Sequence, residues 1–215
     1  MPDRRAVLAG AGMVSLTAVT GCLGLLTDDE IAFDASPARV SDATLDDTGY
    51  HLDAQDDVVV EETFSAGGQS RDVVVTNKMT EYQKSVDMGL LGTQEAAVFT
   101  CLTTPQVNVL NREFNPVSDM STREIAEMVQ DQYEDMQIGD HVAESTVTIY
   151  GTSTTQDKYV AEGMLAGDFV DLYLHISDPV EMEDDFLFTV GAYPELGPDE
   201  ESNILQMMES VEPDA

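Results

Sequence analysis

The run Phe169-Val170-Asp171-Leu172-Tyr173-Leu174-His175-Ile176 alternates strictly, with Val170, Leu172, Leu174 and Ile176 on one side and Asp171, Tyr173 and His175 on the other. A period of two with one apolar side marks an antiparallel strand buried on one face. Ala166-Gly167-Asp168 makes a tight hairpin link back to a strand over 154–165, and further strands read over 142–150 and 185–193. Nearer the N-terminus, Ile31-Ala32-Phe33 begins a first strand and Val58-Val59-Val60 opens a β-branched one running to Phe64. Ala66-Gly67-Gly68 supplies the positive φ of a hairpin turn. A long strand over 71–86 and another over 95–102, centred on Ala97-Val98-Phe99, complete that group.

Helices punctuate the strands. Residues 41–48 read as a short helix stopped by Gly49, a natural C′ residue. Ser121-Thr122-Arg123-Glu124 fits a capping box, after which Ile125, Met128, Val129, Gln132, Tyr133 and Met136 recur at helical spacing until Gly139. A last helix opens at Pro198-Asp199-Glu200-Glu201 and buries Ile204, Met207, Met208 and Val211. Strands grouped between helices indicate α+β, not alternating βαβ. The expectation is one curved antiparallel sheet of six or seven strands with two helices packed on one face, in a single domain over 31–215. Its long hairpins and C-terminal packing helix resemble the PsbP/Mog1-like sandwich, an analogy of fold that carries no function.

The chain has 215 residues, 42 Asp plus Glu against 9 Lys plus Arg, and a formal charge of −33. Such a balance excludes a nucleic-acid binder working through phosphates, and two cysteines exclude a disulfide scaffold. At molar salt the Debye length falls to about 3 Å and self-repulsion of this kind disappears. The composition looks like an extreme halophile's, and the N-terminal segment read next leads to the expectation of an archaeal one. Acid pairs are therefore the default surface and do not by themselves mark a site.

Arg4 and Arg5 precede an uncharged stretch over 6–19, which reads as a twin-arginine export signal. Val19-Thr20-Gly21-Cys22 resembles a lipobox, with Cys22 as the residue that receives lipid. Residues 1–21 are then the signal peptide and 22–30 a tether. An uncut signal-anchor helix is the alternative, since uncharged residues continue to Thr27, enough to span about 30 Å of hydrocarbon. Gly10, Gly12, Gly21 and Gly24 weaken such a helix by about 1 kcal/mol each. Both readings put the folded part outside the cell, at the membrane.

Several motifs resemble a family of haloarchaeal lipoproteins of unknown function, the DUF6517 type. They are the lipobox, Phe33-Asp34-Ala35-Ser36-Pro37, Thr48-Gly49-Tyr50, Gly68-Gln69-Ser70-Arg71 with Val73-Val74-Val75-Thr76-Asn77, Thr104-Pro105-Gln106-Val107, Phe114-Asn115-Pro116-Val117 and Tyr173-Leu174-His175. The resemblance implies surface lipidation and brings no catalytic residues.

The chemistry legible in the residues is sparse. His51, His141 and His175 show no zinc spacing. His141 reads as a solvent-facing loop residue, and His175 as a structural histidine on the polar side of its strand. Cys101 reads as a buried reduced thiol. Asp56-Asp57, Glu61-Glu62 and Asp184-Asp185 lack the loop spacing of a calcium site. No cofactor and no metal are expected. The irregular segment 104–118 carries Gln106, Asn108, Arg112 and Asn115, which could face a small polar ligand; a structured crossover is the favoured reading. The functional expectation is a lipid-anchored, non-enzymatic cell-surface module binding an envelope protein or a polar ligand. The alternative is an extracytoplasmic hydrolase or transferase assembled from His175, Tyr173 and a carboxylate.

Overall fold

The structure, a computed structural model, describes residues 30–66, 69–89, 92–109, 112–113, 120–132, 136–165, 167–196 and 200–214. The export signal with Arg4 and Arg5, the lipobox with Cys22, and Asn115 lie outside the described residues. The chain begins with β1 (Glu30–Asp34), β2 (Ala38–Val40), α1 (Asp42–Thr48), β3 (His51–Ala66), β4 (Gln69–Asp87) and β5 (Thr93–Pro105). A small ladder of β6 (Asn108–Val109) with β7 (Arg112–Glu113) precedes α2 (Thr122–Gln132). Then come β8 (Gln137–Ile149), β9 (Thr152–Leu165), β10 (Asp168–Ser177), β11 (Val180–Met182) and β12 (Asp185–Pro194), followed by α3 (Glu201–Glu209) and β13 (Val211–Pro213).

Local signals formed the elements they predicted. Ser41 Oγ accepts the Thr44 N–H at 3.4 Å to start α1, and Gly49 at φ 78° ends it by donating to the Leu45 carbonyl. At α2 the Ser121 N–H donates to Glu124 Oε2 at 2.9 Å while the Glu124 N–H donates to Ser121 Oγ at 3.3 Å, closing the capping box. The far end of α2 differs from expectation. Gln130 Oε1 takes the Ile138 N–H at 2.8 Å, β8 has already begun at Gln137, and Gly139 lies within that strand. A Cβ at Gly139 would stand 3.0 Å from Val160 Cγ2, so close strand approach accounts for the glycine.

Among the described residues nine strands form one sheet, ordered β1-β4-β5-β12-β10-β9-β8, with β3 paired to β4 and β11 to β12. This exceeds the six or seven expected, and the sheet is mixed, because β1 runs parallel to β4 with Phe33 opposite Val75. Residues 35–68, holding β2, α1 and β3, supply the connection a parallel pair needs. β3 and β1 flank opposite sides of β4, since Asp72–Thr76 pair with both. A separate ladder joins the two ends of the described chain, Val211 opposite Val40. It is fastened to the sheet where the Val40 N–H donates to Tyr82 Oη at 2.8 Å.

The helices number three among the described residues and lie on both faces, correcting the expectation of two on one. Ile125 and Ala126 of α2 pack with Leu174, Ile176 and Phe188. Ile204, Met207 and Met208 of α3 pack with Phe99, Cys101 and Tyr193, and α1 joins them through Thr48 against Met207. β12 shows why the sheet accepts two covers: Leu187 and Phe188, neighbours pointing to opposite sides, are both buried. At Gly191 a Cβ would meet Ile204 Cγ2 at 2.6 Å, so only glycine lets α3 sit this close.

Candidate functional site

β9, β10 and β12 set one row of side chains beneath α3. Lys158 pairs across the ladder with His175, and Tyr173 with Tyr193, which places all four on the same side of the sheet. Lys158 Nζ lies 3.9 Å from the centroid of the Tyr173 ring and 5.8 Å from that of Tyr193, and donates to Glu201 Oε2 at 2.7 Å. The His175 ring stacks on Tyr193 with centroids 5.6 Å apart and its Nε2 3.4 Å from the phenol oxygen. Tyr173 Oη donates to Glu195 at 2.9 Å.

A second lysine continues the row. Lys84 Nζ donates to both oxygens of Glu200, at 2.9 and 2.8 Å, and lies 5.6 Å from the Tyr50 ring. Burial, then the Glu200 charge, pushes the Tyr50 phenol well above its ordinary pKa. Glu200 is the N-cap of α3 and Glu201 its first residue, so these two ion pairs pin the start of that helix to the sheet. The third lysine of the chain, Lys78, meets Asp57 at 2.8 Å. With so few bases, every lysine is committed to an ion pair.

The row is not open to solvent at its centre. His175 is fully buried and Tyr193 nearly so, both under α3. The strand read as half-buried is therefore covered on both sides over its second half: its polar side is made of groups that satisfy one another. Tyr193 touches the rings of both His175 and Tyr173, while Glu195 accepts from Tyr173 and Glu201 from Lys158. Cys101 is buried in the same core, and burial raises its thiol pKa far above the ordinary value, which keeps it protonated and inert.

The remaining candidates fall elsewhere. Asn108 and Arg112 enter the ladder of β6 with β7, opposite Glu113 and Val109. Gln106 is exposed, its N–H donating to the Asp184 carbonyl at 3.0 Å, and Val107 is buried against Val73. His141 stands on β8, not in a loop, with Nε2 2.9 Å from Asp157, and its ring meets Tyr159 edge-on at 5.4 Å. Thr122 hydrogen-bonds both Asp157 and Tyr159 there, a junction that no short motif announces. Asp185, from an acid pair read as surface, is buried and accepts the Ser36 N–H at 2.7 Å. Among the described residues no group of three His, Cys, Asp or Glu is placed to hold a metal ion, and no helix is long and apolar enough to cross a membrane. A cleft of about 310 Å³ opens beside β3, lined by Gln55, Asp56, Asp57, Lys78, Thr80 and Asp214 among others.

No curated protein matches the chain. Among solved structures it is similar to the solution structure of cyanobacterial PsbP (CyanoP) from Synechocystis sp. PCC 6803, at 10% identity and a TM-score of 0.34, over 90% of this chain and 98% of that one. The family model for a domain of unknown function, DUF6517, matches residues 37–212. That span includes Thr48-Gly49-Tyr50, Thr104-Pro105-Gln106-Val107 and Tyr173-Leu174-His175, and begins after Cys22. The chain belongs to the DUF6517 family.

Proposed function

We propose that the protein is an exported module of a halophilic archaeon, held at the outer side of the cell membrane by lipid on Cys22, and that it acts by binding. The anchor rests on Arg4-Arg5, the uncharged run after them and Val19-Thr20-Gly21-Cys22. The brine habitat rests on the charge of −33. One observation carries the non-catalytic half of the reading: His175 and Cys101, the two groups most able to run covalent chemistry, are both buried in the core. The partner is an envelope protein or a small polar ligand, and Gln106, Asn108, Arg112 and Asn115 are its polar candidates. Fractionating cells that express Cys22→Ser tests the anchor: the variant leaves the membrane fraction if lipid holds the protein, and stays there if an uncut helix does.

A second reading, a hydrolase or transferase near His175, draws on the meeting of His175, Tyr193, Tyr173 and Lys158. It requires α3 to lift and both lysine pairs at its start to open. Hydrogen exchange over 201–209 tests this: that reading needs α3 to open far more readily than the sheet, and the binding reading expects the two to be protected together.

A further inference from the structure

We propose that β3 is a docking edge for an extended partner segment with an apolar centre flanked by lysine or arginine. β3 borders the sheet, pairing among the described residues with β4 alone. Every second N–H and C=O along its outer side is thus turned away from the ladder. Val58, Val59 and Val60 stand in its middle, exposed by 39%, 54% and 41%. Since neighbours point to opposite sides, both faces of the strand are bare at that place. Edge strands are guarded by short length, charges, Pro, bulges or a cover, and β3 is long and carries neither Pro nor a bulge at the valines. The opposite border, β8, is interrupted twice between Ile138 and Ala143, whereas the one break in β3 falls at Leu52/Ala54, short of the valines.

Charge selects the occupant. Asp56 and Asp57 precede the valines, and Glu61 and Glu62 follow them. A second copy paired antiparallel about Val59 would set Asp57 opposite Glu61 and Asp56 opposite Glu62, in both directions, and like charges directly opposite are destabilising. A bilayer would leave the edge without hydrogen-bond partners and the carboxylates without cations. A strand with bases on both flanks reverses each of those repulsions while its apolar centre covers the valines. The cleft beside β3 is walled by Asp56, Asp57, Lys78 and Asp214; Lys78 already meets Asp57 and Arg39 meets Asp214, so the Asp56 carboxylate is the group it offers a partner base. Backbone pairing for affinity with side-chain recesses for selectivity is the physics of strand addition. The inference goes beyond the binding reading above, since it uses β3 and not Gln106, Asn108, Arg112 or Asn115, and it is independent of the anchor.

The test uses the full chain in molar KCl with the labelled synthetic peptide Lys-Lys-Val-Thr-Val-Lys-Lys, reading fluorescence anisotropy and backbone hydrogen exchange. Saturable binding is expected, with exchange slowed roughly tenfold over 56–62 and unchanged on β8. Replacing the peptide lysines by glutamate, or its centre by three serines, is expected to weaken binding by roughly tenfold or more. Val59→Asp, at an exposed position, is expected to do the same; the peptide swaps on the unaltered chain carry the test should that variant misfold. The proposal is overturned by no saturable binding, by equal binding of either control peptide, or by protection that falls on β8. Uptake onto phosphatidylglycerol vesicles, or a dimer on sizing, that Val59→Asp abolishes would overturn it in favour of a membrane or a second copy. Failure here leaves Cys22 untouched, because lipidation is read from mass and fractionation.

Discussion

Lys158 on β9 and Glu201 at the start of α3 lie 2.7 Å apart, with the ammonium held over the Tyr173 ring at 3.9 Å. The lysine is mostly buried and the glutamate partly exposed, so the two lose unequally when separated. Lys158→Met is expected to cost about 2 kcal/mol, from a charged hydrogen bond and a cation–π contact together. Glu201→Gln costs less, because its amide still accepts from the lysine. Urea denaturation of both variants in molar salt measures the difference.

Gly191 is the point where α3 comes closest to the sheet. Gly191→Ala places a methyl 2.6 Å from Ile204 Cγ2 and is expected to destabilise by about 1–3 kcal/mol through overpacking. Adding Ile204→Ala opens space for that methyl, so the double variant should lose less than the sum of the two single ones. A double-mutant cycle on thermal unfolding checks the coupling.

Tyr82 joins two ladders through one oxygen. Tyr82→Phe leaves the buried Val40 N–H without its acceptor and is expected to cost about 1–2 kcal/mol. Burial pushes the Tyr82 pKa up to about 12. The folded state therefore holds this proton more tightly than the unfolded chain, so the stability it lends is full below pH of about 10 and is lost as pH rises toward 12. Alkaline titration of stability should show a loss in that window that is smaller in the phenylalanine variant.

Two carboxyls are expected to act in opposite directions in acid. Burial raises the Asp185 pKa, so this group weighs against the fold at neutral pH and is relieved as pH falls through its raised value. Hydrogen bonds from Ser121 lower the Glu124 pKa, so its contribution is present above the ordinary carboxylate value and is lost as pH falls below it. Asp185→Asn, which keeps an acceptor for the Ser36 N–H, should match or exceed the parent in stability at pH near 7. Glu124→Gln should flatten the acid limb. Stability profiles from pH of about 3 to 7 distinguish them.

What was legible in the sequence was local. Ser41 with Gly49, and Ser121 with Glu124, announce helix ends within a few residues because the hydrogen bonds that make them span a few residues. The alternation of Val170 to Ile176 named the faces of β10 correctly. It misjudged their burial, since what covers His175 is a helix starting at Glu201, drawn in by Lys158 and Lys84 from distant strands. The run Phe186-Leu187-Phe188, apolar on both sides, carried the signal for two covers. The parallel seat of β1 and the tie from Tyr82 to Val40 depend on chain crossings that no periodicity records. The polar candidates Asn108 and Arg112 share one small ladder, but the accessible junction of His141 with Asp157 is built from β8 and β9 and had no motif to betray it.

Salt dependence addresses the reading of the surface. Between molar KCl and about 0.1 M the Debye length grows from about 3 to 10 Å, and repulsion among exposed carboxylates returns. A loss of about 2 kcal/mol or more is expected, seen as a fall of ~4–8 °C in the midpoint of thermal unfolding. A midpoint that does not move with salt would argue against adaptation to brine.

The anchor at Cys22 is tested most directly by the intact mass of protein extracted from the membrane fraction of its native cells. A chain that starts at Cys22 and carries lipid on that residue is expected. A chain still bearing Met1 or Pro2, with an unmodified thiol at Cys22, would contradict it.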